Sequence, residues 1–242
     1  MKVRLFAVLA LLLATLTTGA VAAPADQWIA KARAYLGTES ALDAVQSMHF
    51  TGTVETETGA KAPIEIICQK PNQRIIKLTF EKSIQQTTLD GYDGWVHTKD
   101  TSNAANWQLK LMSASQIKQI RADNAETLNF FRGIERYGGK VEFLGDAKVE
   151  GRDTVKLAYI YSPEKTFYRY IDKATGHQVL VETESGGTIR EEGELVVNGI
   201  RFSKRVINRN ADGKTQTLNI ESLTLNESFP KSLFAVPALI TK

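Results

Sequence analysis

Few residues in this chain combine the types and spacing that chemistry requires. The three histidines, His49, His97 and His177, are scattered, and none forms a pair spaced to hold one metal ion. Asp90 and Asp93 are close enough to share a cation. They belong to Asp90-Gly-Tyr-Asp-Gly94, however, where turn chemistry accounts for both carboxylates and no further ligands complete a site. Glu191, Glu192 and Glu194 form an acidic cluster beside a turn. It reads as the charged border of an edge strand, which discourages unwanted pairing, rather than as an acid–base pair. Cys68 is the only thiol, and its alternation with Ile64 and Ile66 places it on an apolar strand face as a buried, inert residue. No Gly-x-Ser-x-Gly elbow, phosphate-cradling glycine loop or paired cysteine ligands occur. The expectation is a protein that binds rather than catalyses, with no metal and no cofactor.

The elements that would position any site are mostly strands. From Lys140 to Glu227 the chain reads as one series of strands and tight turns. Val155, Leu157, Tyr159 and Tyr161 alternate with Thr154, Lys156, Ala158 and Ile160, the period of a two-faced strand. Asp172-Lys-Ala-Thr-Gly176, Asn198-Gly199 and Asn210-Ala-Asp-Gly213 punctuate the series. Phe50 to Glu57, Pro63 to Gln69, Gln73 to Phe80 and Ile84 to Leu89 add earlier strands, and Trp107, Leu109 and Leu111 form one face of another. About eleven strands follow from turn signals and alternation. In the last strand Leu218 and Ile220 are out of phase with Leu223 and Leu225, so a β-bulge is expected near Glu221-Ser222.

Helices are fewer. One starts at Pro24-Ala25-Asp26, with Asp26 as N-cap and Trp28, Ala32, Tyr35 and Leu36 as its apolar stripe. A short second helix follows from Ser40, where Ser40 and Asp43 have capping-box spacing and Leu42 and Val45 point inward. The longest opens at Ser113, with Gln116 in capping-box position, carries Ile117, Ile120, Leu128 and Phe131, and ends at Gly138-Gly139. Asn124 is a polar interruption in that stripe, and Phe130 and Ile134 widen it. Such one-sided helices need a sheet to cover. If the sheet curves away from them, their stripes line a cavity instead of a core.

Lys2 and Arg4, the apolar run Leu5 to Leu16 and Ala20-Val21-Ala22 have the form of a cleaved secretory signal. The run falls short of the ~20 residues that span a bilayer. Removing residues 1–22 of 242 leaves 220, which fits one domain over 23–242. No cysteine stands near the cleavage site for lipid attachment, so a soluble exported protein is expected. The signal carries two of the 30 basic and none of the 27 acidic residues, leaving a mature formal charge of about +1. That balance argues against a nucleic-acid surface. An exported chain with one cysteine has no internal disulfide and must hold together by packing.

Four segments, in order, resemble the periplasmic outer-membrane lipoprotein carrier (LolA-like) family. They are Val45-Gln-Ser-Met-His-Phe-Thr-Gly52, Gln69-Lys-Pro-Asn72, Leu89-Asp-Gly-Tyr-Asp-Gly-Trp95 and Phe234-Ala-Val-Pro237. The resemblance spans about Trp28 to Pro237. It implies a mainly β (α+β) protein: an incomplete, strongly curved antiparallel β-barrel with helices covering the concave side. It also implies a hydrophobic cavity that takes the acyl chains of lipoproteins or free lipids and delivers them towards the outer membrane. An inner-membrane release complex and an outer-membrane acceptor would then be partners, and the carrier a monomer in the periplasm. Lipid tails offer no polar atoms, so a carrier needs little beyond shielded apolar area. Cavity candidates are Trp28, Ile29, Leu36, Phe50, Ile76, Leu78, Trp95, Trp107, Ile120, Leu128 and Phe131. Lys70 is the lid or rim candidate, standing where the family commonly has arginine, whose planar bidentate contacts lysine cannot reproduce. The alternative the resemblance allows is a lipid- or lipoprotein-sensing regulatory domain that binds a membrane protein. Such sensors usually carry a second domain, for which this chain looks too short, so the carrier is the preferred expectation.

Overall fold

The computed structural model describes residues 24–103 and 105–237, so the signal segment lies outside the described residues. Helices α1 (Pro24–Leu36) and α2 (Glu39–Asp43) precede strands β1 (Ser47–Thr56), β2 (Lys61–Gln69), β3 (Gln73–Thr79), β4 (Ser83–Asp90), β5 (Asp93–Asp100) and β6 (Trp107–Leu111). Helix α3 (Ala114–Asn129) and a 3-10 turn (Ile134–Tyr137) lead into β7 (Lys140–Val149), β8 (Arg152–Ser162), β9 (Lys165–Asp172), β10 (Gln178–Thr183) and β11 (Thr188–Glu192). The chain closes with β12 (Leu195–Val197), β13 (Ile200–Phe202), β14 (Arg205–Arg209), β15 (Thr215–Leu225) and a 3-10 turn (Lys231–Phe234).

Thirteen strands form one antiparallel sheet in the order β6-β5-β4-β3-β2-β1-β15-β14-β11-β10-β9-β8-β7, while β12 and β13 pair apart as a hairpin. The sequence led us to expect about eleven. The surplus lies in pieces too short to show alternation, such as the three residues each of β12 and β13. The sheet is curved and not closed: β6 and β7 are its two edges, and α3 carries the chain from one edge to the other. Four register shifts add twist. At one, Thr51 pairs with Ser222 and Gly52 with Ile220, leaving Glu221 as the extra residue at the predicted bulge. The insertion keeps Leu218, Ile220, Leu223 and Leu225 on the concave face. Gly52 is required opposite it, because a Cβ there would lie 2.0 Å from the Asn219 carbonyl oxygen.

Local capping follows the sequence unevenly. The Ser113 hydroxyl accepts from the Gln116 amide and the Gln116 side chain accepts from the Ser113 amide, the predicted capping box. In α2, by contrast, Thr38 rather than Ser40 is the N-cap, accepting from Ala41 N at 3.3 Å. Asp26 lies inside the first turn of α1. The buried stripe of α1 is Ala25, Ile29, Ala32 and Arg33, so the expected stripe of Trp28, Ala32, Tyr35 and Leu36 is rotated and takes in a charged residue. Helix α3 stops at Asn129, well short of Gly138-Gly139. Phe130 (φ 47°) and Phe131 (φ 72°) are both left-handed, a conformation that ends a helix and strains bulky residues.

The interior divides in two. Ala25, Ile29, Ala32, Val155, Leu157, Tyr159 and Phe167 form one core beneath α1. Leu42, Val45, Met48, Ile66, Cys68, Leu128 and Ile200 form another beneath α2 and the end of α3. On the outer face of the sheet Phe234, fully buried, packs on Ile67 and Ile75.

Candidate functional site

Between the two cores lies a cavity of about 970 Å³. Its apolar wall comes from strands that run side by side in register. Phe50 pairs with Ile66 and Ile66 with Ile76, while Val54 pairs with Leu218, and alternation turns all five toward the concave side. Met48, Ile64 and Ile220 extend this wall, and Phe130, Phe131, Phe167 and Phe202 add aromatic rings from the helical side and from β9 and β13. Leu36 and Tyr35 contribute from the end of α1, and the exposed Glu194 and Arg201 stand at the rim. A second hollow, lined by Lys118, Arg121, Tyr137 and Tyr161, measures about 110 Å³ and is too small for a ligand of ordinary size.

The opposite wall is polar. Arg169 occupies an inward position of β9, between Phe167 and Ile171, and is 8% exposed. It pairs with the Glu126 carboxylate on α3, donates to the Gln178 side chain, and stacks over the Phe131 and Tyr159 rings at 4.9 and 4.8 Å. Burial brings its pKa down to about 10, against the pull of Glu191. Glu191 faces the same space from β11. Burial pushes its carboxyl above the usual range while Arg169 opposes the shift. Its side chain is exposed along the cavity. The acidic cluster is therefore not on a sheet edge, since β11 lies between β10 and β14. Glu192 pairs outside with Arg205 at 2.8 Å.

The end of α3, which carries Phe130 and Phe131 into the cavity wall, is fastened twice. Arg33 Nη1 donates to the carbonyl oxygens of Asn129 at 3.3 Å and Phe130 at 3.0 Å, and its guanidinium also holds Glu39 and Asp43 on α2. The Tyr159 hydroxyl donates to the Phe131 carbonyl at 3.1 Å. Burial raises the Tyr159 pKa, so it remains a donor throughout the neutral range.

Of the residues expected at the cavity, Leu36, Phe50, Ile76 and Phe131 line it. Ile29 lies in the core beneath α1 with Trp28 packed against it, and Leu128 in the core beneath α2. Trp95 and Ile120 are buried away from the cavity. Leu78 is half-buried on β3 outside the lining, and Trp107 on β6 meets His97 edge-on. Lys70 does not line the cavity either. It is half-buried near Asp43, Arg136 and Arg33, and desolvation lowers its pKa. His177 lines the cavity beside Tyr35, while His49 lies between Glu65 and Glu227. Arg33, Arg74, Glu126 and Arg169 escaped the sequence reading, and Glu191 was read as the border of an edge strand rather than as part of a cavity wall. A signal existed for two of them: Arg169 and Arg74 share strand phase with Phe167 and with Ile76.

No family model matches the sequence, and no curated protein matches it. Solved structures do match. A LolA superfamily protein from Nitrosomonas europaea superposes with a TM-score of 0.58 at 17% identity, over 89% of this chain and 99% of that one. A domain of an outer membrane lipoprotein-sorting protein from Vibrio parahaemolyticus gives 0.57 at 14% identity, over 87% and 97%. A DUF1329 family protein from Desulfovibrio piger gives 0.57 at 9%, over 88% and 97%. An open, curved antiparallel sheet with helices laid across its hollow, shared over nearly nine-tenths of this chain, shows that the protein has the LolA-like fold.

Proposed function

We propose that this protein is a periplasmic carrier. It shields the acyl chains of lipoproteins or other lipids in the cavity and delivers them towards the outer membrane. The observation that carries the reading is the aliphatic and aromatic wall of an unfilled space of about 970 Å³ between two close-packed cores. Interiors are ordinarily packed without voids of this size, and apolar space sheltered from water is what a hydrocarbon chain gains most from entering. The fold shared with a lipoprotein-sorting domain and the signal-like N-terminus support the same reading. No enzymatic step belongs to it. Release from an inner-membrane complex and hand-over to an outer-membrane acceptor would bracket the transit of a monomer. Lys70, at the junction of α2 and the turn before β7, is the candidate contact for such partners. Native mass spectrometry of the protein purified from its own envelope tests the reading. Bound acyl species at one per chain support it, and a ligand-free protein that also takes up no added lipid overturns it.

A further inference from the structure

Most charged side chains of the cavity wall pair off among the described residues; the exceptions are Glu191, which only accepts from the Gln178 side chain at 3.4 Å, and Arg74. Lys165 lies 2.9 Å from Asp123, Arg169 pairs with Glu126, and Arg201 lies 3.5 Å from Glu194. Arg74 on β3 has no carboxylate within ion-pair distance among the described residues. Its Nη1 donates to the Thr127 hydroxyl on α3 at 3.2 Å, and its Nε is enclosed without a protein acceptor. Its cross-strand neighbours are apolar and buried, Cys68 on β2 and Leu89 on β4. Asp123 and Glu126, the acids nearest Thr127 in sequence, are already taken by Lys165 and Arg169.

A half-buried cation without a counter-charge is costly, and the guanidinium fork matches the two oxygens of a carboxylate or phosphate. Beside Arg74 the wall is hydrocarbon: Ile66, Ile76, Phe50 and Phe130. A ligand that satisfies both must be an amphiphile. We propose that Arg74, with Thr127, is the head-group site of the cavity, and that the cargo ends in a carboxylate or phosphate rather than in a neutral ester. The proposal rests on the carrier reading and narrows its substrate class.

The test compares a fluorescent polyene fatty acid with its methyl ester, which share one chain and differ in head charge. Wild-type protein should bind the acid about tenfold more tightly or better, as expected of charge-assisted hydrogen bonds in a poorly solvated site. Arg74→Gln should bring the acid to the level of the ester and leave the ester unchanged, and Arg74→Lys should keep part of the difference. Hexadecyl phosphate should displace the acid, whereas millimolar inorganic phosphate should not. Equal affinity of acid and ester in the wild type overturns the head-group site but leaves the carrier standing. Binding of neither probe overturns the carrier reading itself. Parallel loss of acid and ester in Arg74→Gln makes the residue structural, and displacement by inorganic phosphate makes the site one for free anions. If Arg74→Gln fails to melt cooperatively, Thr127→Val read against the wild-type difference decides the matter, with a reduced acid preference expected and an unchanged one counting against the site.

Discussion

Arg33 on α1 donates to the Phe130 carbonyl oxygen at 3.0 Å, a contact 97 residues apart in sequence that joins the first helix to the end of the longest one. Arg33 is 1% exposed, and the same guanidinium reaches Glu39 at 2.7 Å and Asp43 at 2.6 Å. A cation at a helix C-terminus satisfies carbonyls that have no partner inside the helix. Replacing Arg33 with Met should therefore cost about 1–3 kcal/mol in urea unfolding, through lost charged hydrogen bonds to buried carbonyls. A cost near zero would show that the helix end holds without it.

The same cluster predicts an acid limb of stability. The Arg33 hydrogen bond is the main cause holding Glu39 below its ordinary pKa of 4.5, with Arg132 adding to the effect. A depressed folded pKa gives stability that is complete above the unfolded value and is lost as pH falls through the folded one. Thermal melting should thus decline from about pH 4.5 downward. Glu39→Gln should make that decline shallower, and an unchanged slope would exclude Glu39 from it.

Glu191 has the opposite sign. Its carboxyl is raised, so the folded protein holds the proton to higher pH than the unfolded chain, and stability falls as pH rises from the unfolded pKa to the folded one. Glu191→Gln removes that loss, while Arg169 keeps Glu126 as its partner. The variant should melt higher than wild type at pH 7 and alike at pH 4. A lower melting temperature at pH 7 would mean that Arg169 depends on Glu191.

Asn124 is fully buried on α3, with neither end of its amide partnered by protein. An unmade buried hydrogen bond costs about 1–3 kcal/mol. Asn124→Leu, close in volume, should leave stability unchanged or raise it in thermal melting. A loss above about 2 kcal/mol would show that the amide serves a purpose the packing does not reveal.

How far the sequence could be read depended on whether a residue's role was local. The bulge at Glu221 was legible because a phase change between Ile220 and Leu223 has one simple remedy. The Ser113–Gln116 box was legible because both partners lie within one turn. The early end of α3 was not, since its stripe continues through Phe131, and the contacts that take up its last carbonyls come from Arg33 and Tyr159 far along the chain. The cavity was half legible. The family resemblance put Phe50 and Ile76 at the cavity, but periodicity cannot separate a residue lining a space from one filling a core, which is where Leu128 and Ile29 lie. Charged residues on inward faces, Arg74, Arg169 and Glu191, read as surface until the paired strands are seen to curve around them.

That distinction between wall and core is measurable. Leu128→Ala should cost about 2–5 kcal/mol, as for a packed aliphatic side chain. Phe131→Ala, cut from the cavity wall, should cost less than the 3–5 kcal/mol typical of a core phenylalanine, because one side of the ring already lacks contacts. Equal core-like losses in chemical denaturation would place both in solid packing.

The most direct test of the account is uptake of a neutral fluorescent acyl ester by wild type and by Leu218→Arg, with thermal melting of both. Leu218 faces the cavity from β15, so a guanidinium there would occupy the space a chain needs while its stem lies along the wall. Saturable uptake at one probe per chain by wild type, weakened about tenfold or more in a Leu218→Arg protein that still folds cooperatively, is the predicted result. Absence of saturable wild-type uptake of both this ester and the corresponding acid, or equal ester uptake by the two proteins, would contradict it.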